Sequence, residues 1–160
     1  MKNKVHNFSA GPSILPNIVF EQASSAITDF NNSGLSILEI SHRSKDFIEV
    51  LEEARYISLD LASLNKDNYS CLFLQGGASM QFLMVAYNFL NNKAAYVNTG
   101  SWSTKAIKEA KMFGDVSEIA SSADKNFNYI PNLSSVSDGF DYVHITSNNT
   151  IFGTQFHSFP

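Results

Sequence analysis

A single cysteine, Cys71, rules out an internal disulfide and any zinc site built on several thiolates. The four histidines, His6, His42, His144 and His157, are scattered, and no H-E-x-x-H or similar metal-ligand spacing joins them. Metal is therefore not expected. Charge is scarce as well: Asp, Glu, Lys and Arg make up 16% of the chain, against about 25% in an average soluble protein. The balance is acidic, with 11 Lys+Arg against 15 Asp+Glu and a formal net charge of -4. No basic field exists to neutralise a phosphate backbone, which excludes a general nucleic-acid binder. The apolar runs, such as Cys71–Leu74, are far too short for a bilayer. No apolar stretch follows the first residues, so no secretory signal is read there, and Asn-x-Ser/Thr triplets such as Asn7-Phe-Ser9 and Asn148-Asn-Thr150 are taken as chance. No repeat or low-complexity tract occurs.

What remains is ordinary material for one packed domain: 160 residues, 44% hydrophobic and 12% aromatic. The expectation is a soluble globular protein of a reducing compartment, placed in the cytoplasm, with neither nucleic acid nor membrane as partner.

Local patterns predict alternating elements. Gly11-Pro12 is turn chemistry, and Pro16 suits a helix start. Ile18, Val19, Ala23, Ala26, Ile27 and Phe30 recur at helical spacing until Asn31-Asn-Ser-Gly34 breaks the run. Ser44 can cap a second helix whose apolar stripe runs from Phe47 to Leu64. Tyr69–Leu74 reads as a short buried strand, followed by Gly76-Gly-Ala-Ser79 and a helix over about 80–90. A strand over 94–97, a helix carrying Trp102, Ala106, Ile107 and Ala110, a weak strand over 116–119 and a polar loop over 121–139 come next. Asp141–Thr146 is a further strand that ends in Ser147-Asn-Asn-Thr150.

Strands that alternate with helices imply an α/β fold with helices on both faces of a mostly parallel sheet. The sheet reads as unfinished at Pro160, so the expectation is an incomplete large domain.

Ligands on such sheets sit beyond the carboxyl ends of the strands. The turns at 75–79, 98–102 and 147–150 fall there. In Gln75-Gly-Gly-Ala-Ser79 the small residues admit a ligand close to the backbone, and a helix start favours an anion. A tight turn with no ligand accounts for the same residues. Trp102, the one tryptophan, offers a flat face for stacking or simply fills the core. Thr150 is able to bond a phenolic or phosphate oxygen, or to cap its own turn. Arg43, beside His42 in Ser41-His-Arg-Ser44, has the geometry to grip a carboxylate or phosphate.

Six ordered blocks together resemble the phosphoserine aminotransferase family, a class-V branch of the pyridoxal-phosphate enzymes of fold type I. They are Asn7-Phe-Ser-Ala-Gly-Pro12 with Leu15-Pro16, Glu39-Ile-Ser-His-Arg-Ser-Lys45 with Phe47, and Gln75-Gly-Gly-Ala-Ser79 with Gln81-Phe82. Tyr96-Val-Asn-Thr-Gly-Ser-Trp102, Ala106-Ile-Lys-Glu-Ala-Lys111 and Ser147-Asn-Asn-Thr-Ile-Phe-Gly153 complete the set.

The resemblance implies pyridoxal 5'-phosphate as cofactor, its phosphate on Ala78 and Ser79, its ring against Trp102 and its phenolic oxygen on Thr150. It implies substrate binding by Arg43, with His42 and the Ser9 segment nearby. The reaction would transfer the amino group of glutamate to 3-phosphohydroxypyruvate, giving phosphoserine and 2-oxoglutarate in serine biosynthesis. The family's Schiff-base lysine and its ring-nitrogen aspartate lie later than the threonine matched by Thr150. None of the nine lysines here has that setting, so no catalytic residue is assigned and the 160 residues alone are expected to be inactive.

The same likeness divides the chain into an N-terminal arm, 1–15, and a partial large domain, 16–160, of a homodimer. The isolated chain is expected to associate through uncovered apolar surface. Two other readings of the phosphate turn remain: a non-catalytic phosphate-ligand or interaction module, and a serine hydrolase using Ser79. The second lacks the glycine that completes G-x-S-x-G.

Overall fold

A computed structural model describes residues 5–133 and 135–159. The chain divides into two compact units, Met1–Phe73 and Leu74–Pro160.

In the first unit, α1 (Asn17–Thr28) follows Pro16, whose fixed φ leads the chain in. It stops where Asp29 turns extended; the Asp29 carboxylate accepts the Gly34 N–H at 2.9 Å and closes the loop around buried Phe30. Helix α2 (Lys45–Leu61) starts as the sequence suggests, with the Ser44 hydroxyl accepting the Phe47 N–H at 3.3 Å. The apolar stripe runs on to Leu64, but the helix does not. Ser63 adopts a left-handed φ of 55°, and the Leu64 N–H reaches back to the Leu59 carbonyl at 2.9 Å. This is the six-to-one bond of a Schellman stop, which satisfies terminal carbonyls without any glycine. Neither helix buries a residue fully within this unit, and Leu61 is 81% exposed.

The expected strand over 69–74 does not form: among the described residues it joins no ladder. A strand exists only by pairing, and the three-stranded sheet of the second unit forms around one central strand, from residues 93–144 alone. That strand is β1 (Lys93–Asn98), which pairs in parallel with β2 (Asp115–Ser121) on one side and with β3 (Val143–His144) on the other. The expected strand over 141–146 shrinks to the two residues of β3. An antiparallel hairpin, β4 (Asn148–Asn149) with β5 (Thr154–Gln155), stands where only a turn was expected. Helix α3 (Gly77–Phe89) begins three residues before the sequence estimate, and α4 (Ser101–Ala110) carries Trp102 as expected.

The core of the second unit is Ala86, Ala94, Tyr96, Ala106, Ile107 and Ala110, with Phe82, Leu90, Val116 and Tyr142 packed against it. Four alanines let α3, α4 and β1 approach closely. Burying Ile107 contributes about 1.5–3 kcal/mol. The Tyr96 and Tyr142 hydroxyls bond at 2.8 Å, and burial raises the Tyr96 phenol far above its usual range.

Asp141 clamps the turn before β1. Its carboxylate accepts the N–H groups of Asn91, Asn92 and Lys93 at 2.8, 2.6 and 3.0 Å, which holds its pKa below the ordinary 3.8. A lowered native pKa means stability that is full above 3.8 and lost as pH falls through the native value. Asp141→Asn is expected to lower the thermal midpoint at neutral pH and to flatten the loss of stability below pH 3.8. Melting curves across acid pH read this directly, and an unchanged acid slope contradicts the clamp.

Candidate cofactor site

The helix start that follows Gln75 is open. Gly76 and Gly77 have φ of 107° and 58°, a pair of left-handed conformations that turns the chain abruptly into α3. The first intrahelical bond runs from the Met80 N–H to the Gly76 carbonyl at 3.3 Å. The N–H groups of Gly77, Ala78 and Ser79 thus have no acceptor inside the helix. Among the described residues no side chain caps this end, and no acidic residue stands in its first turn. Three free N–H groups at the positive end of a 13-residue helix suit an anion such as phosphate. Among the described residues Ser79 has no His or carboxylate bonded to its hydroxyl, so a hydrolase reading has no base to work with.

The start of α4 is the opposite case, heavily tied. Asn98 Oδ1 lies 3.0 Å from Ser103 Oγ and 3.1 Å from Thr104 Oγ1, while the Thr99 N–H donates to Ser103 Oγ at 2.9 Å. The Trp102 N–H donates to Asn149 Oδ1 at 3.2 Å, and its indole Nε1–H donates to Thr150 Oγ1 at 3.0 Å. Lys105 Nζ sits 4.6 Å from the indole centroid, a cation on the ring. Trp102 is therefore held at backbone, ring edge and ring face.

Between these two helix starts lies a cavity of about 290 Å³, lined by Ala78, Phe82, Trp102, Thr146 and Asn148. That is near the lower bound, about 300 Å³, for small-ligand pockets. Behind it, His144 stacks on Tyr96 at 4.7 Å between ring centroids and meets Phe82 edge-on at 6.1 Å. Burial lowers the His144 pKa, so the imidazole is neutral at pH 7. His144 Nδ1 and Thr146 Oγ1 are buried without a partner among the described residues.

Of the residues singled out in the sequence, Ala78 and Trp102 line this cavity and Thr150 is bonded to the indole. Ser79 is the next residue of the open helix start. Arg43, His42 and Ser9 belong to the first unit. Arg43 and His42 are exposed just before α2, with the Arg43 N–H donating to Ser41 Oγ at 3.2 Å. Ser9 is exposed too, its N–H donating to Asn7 Oδ1 at 2.8 Å. Residues 1–4 of the expected arm lie outside the described residues.

Sequence reasoning assigned no role to Thr146 or Asn149 and treated Asn148 only as part of a turn. Asn149 meets its partners 47 and 50 positions away, and no local pattern carries that information.

A family model described as aminotransferase class-V matches residues 5–159. Phosphoserine aminotransferase of Flavobacterium psychrophilum is 59% identical over 159 residues, covering 98% of this chain and 45% of the relative. A phosphoserine aminotransferase solved in a study of radiation damage to its Schiff base superposes with a TM-score of 0.92 at 45% identity, covering 98% of this chain and 44% of that one. The pyridoxal-phosphate-bound phosphoserine aminotransferase of Trichomonas vaginalis gives 0.87 at 34% identity, covering 98% and 45%. The chain thus spans under half the length of the relatives it matches.

Proposed function

This chain belongs to the class-V aminotransferase family, and from that membership we propose that it supplies half of the cofactor site of a phosphoserine aminotransferase. The reaction passes the amino group of glutamate to 3-phosphohydroxypyruvate, forming phosphoserine and 2-oxoglutarate for serine synthesis. The observation that carries this reading is the cavity that joins an uncapped helix start to an anchored indole. These residues fit pyridoxal 5'-phosphate. The free N–H groups and the absence of a first-turn carboxylate suit its dianionic phosphate, and the Trp102 ring suits its flat pyridine.

When bound, that cofactor supplies the electron sink for breaking the bond to the amino-bearing carbon. The chain's own residues bind and orient. The Ala78 and Ser79 N–H groups, with the Ser79 hydroxyl, hold the phosphate. Thr150 accepts from the indole and so keeps its own proton to donate to the phenolic oxygen. Phe82 lines the cavity, and the neutral His144 packs edge-on against it. Arg43, with His42 beside it, grips the substrate's carboxylate or phosphate, and Ser9 lies at the same substrate. No lysine of these 160 residues takes the covalent role. On the same reading residues 1–15 are an arm at the substrate site, 16–160 are part of the large domain, and the whole protein is a cytoplasmic homodimer.

The test uses the protein expressed from its own gene, supplied with pyridoxal phosphate, phosphoserine and 2-oxoglutarate. Glutamate formation is expected, with Arg43→Ala raising the KM for phosphoserine by about tenfold or more while cofactor affinity holds. No glutamate from the saturated protein sinks the reading, and equal losses of both affinities misplace Arg43.

A further inference from the structure

We infer that Asn149 is a positioning residue: its buried carboxamide latches the β4–β5 hairpin to the turn that opens α4, setting the Trp102 indole and the Thr150 hydroxyl as one unit. This rests on the cofactor reading above. Asn149 is 1% exposed. Its Oδ1 accepts the Trp102 N–H at 3.2 Å, its Nδ2 donates to Thr99 Oγ1 at 2.7 Å, and its carbonyl accepts the Gly153 N–H at 2.8 Å.

The side chain has to accept at one atom and donate at the next. A carboxamide does both from one planar group; a leucine there strands a buried donor and a buried acceptor, and an aspartate buries a charge.

Room for the amide comes from Gly100, at φ 151°, where a Cβ would stand 2.7 Å from Asn149 Oδ1 and 2.8 Å from its Cγ. Thr154 Oγ1 adds a second tie from the hairpin, donating to the Thr99 carbonyl at 3.3 Å. Since Thr150 is the next residue and its Oγ1 holds the indole Nε1–H, any shift of Asn149 moves both groups that face the ring.

Trp102 is the one tryptophan, so its emission reports the latch before any cofactor is added. The experiment compares wild type, Asn149→Ala and the isosteric Thr99→Val in the protein expressed from its own gene, with Asp141→Asn as a control for general loss of stability. Both latch variants are expected to red-shift the apo emission, to raise its quenching by acrylamide, and to weaken pyridoxal phosphate binding about tenfold. Asp141→Asn is expected to change none of the three. If Asn149→Ala does not fold, Thr99→Val alone carries the comparison. Wild-type emission and affinity in the variants overturn the latch and leave the cofactor reading standing. A wild type that binds no pyridoxal phosphate overturns both.

Discussion

Gly76→Ala is expected to lower the thermal midpoint and to weaken pyridoxal phosphate binding at least about tenfold. Two costs add at this position. A non-glycine residue at a left-handed φ, here 107°, is strained by about 1–2 kcal/mol. The new Cβ would stand 2.3 Å from Met80 Cβ and 2.6 Å from its Cγ, and overpacking of that kind costs about 1–3 kcal/mol. Met80 Cβ is fixed to the helix backbone, so no rotamer change relieves the clash. The first turn of α3 must move, and with it the free N–H groups of Gly77, Ala78 and Ser79. Gly139 provides the matched control: its φ is 99°, yet a Cβ there meets nothing within 4 Å. Gly139→Ala carries the strain without the clash and should leave cofactor affinity alone. Calorimetry and cofactor titration on the pair separate the two costs; equal affinities rule out a cradle at α3.

Trp102→Ala should cost the cofactor about ten- to fiftyfold in affinity. Stacked aromatic pairs contribute about 0.5–1.5 kcal/mol beyond area. Losing the Nε1–H partner of Thr150 adds about 1 kcal/mol, since that hydroxyl is then free to turn away from the ring. Trp102→Phe keeps a smaller aromatic face and removes the N–H, so an intermediate loss is expected. The ordering wild type, Phe, Ala in titrations tests both contributions at once. Phe and Ala behaving alike leaves no role for stacking, and Ala behaving like wild type removes Trp102 from the site.

The features of this chain differ in how far along the sequence their causes lie. The Ser44 cap acts over three residues, the α1 and α2 stripes over single helical turns, and the Gly76-Gly77 turn over two positions. Each is set by neighbours in sequence, so each was legible before any coordinates. The same locality misled at 69–74, where an apolar run looks like a strand; a strand exists only by pairing, and among the described residues this run joins no ladder. It misled again at Leu64, where the stripe continues but a left-handed Ser63 ends α2.

Local sequence was enough for the α3–β1–α4–β2 alternation, the glycine turn into α3 and the residue types able to meet an anion and a flat ring. Only the tertiary structure decided that Ala78 and Trp102 share one cavity, that Thr150 meets the indole edge across 48 positions, and that Asn149 ties them. The physical reason is range: caps and periodicities are short contacts that a local window contains. A hydrogen bond between residues some fifty positions apart exists only once the sheet has brought its strand ends together.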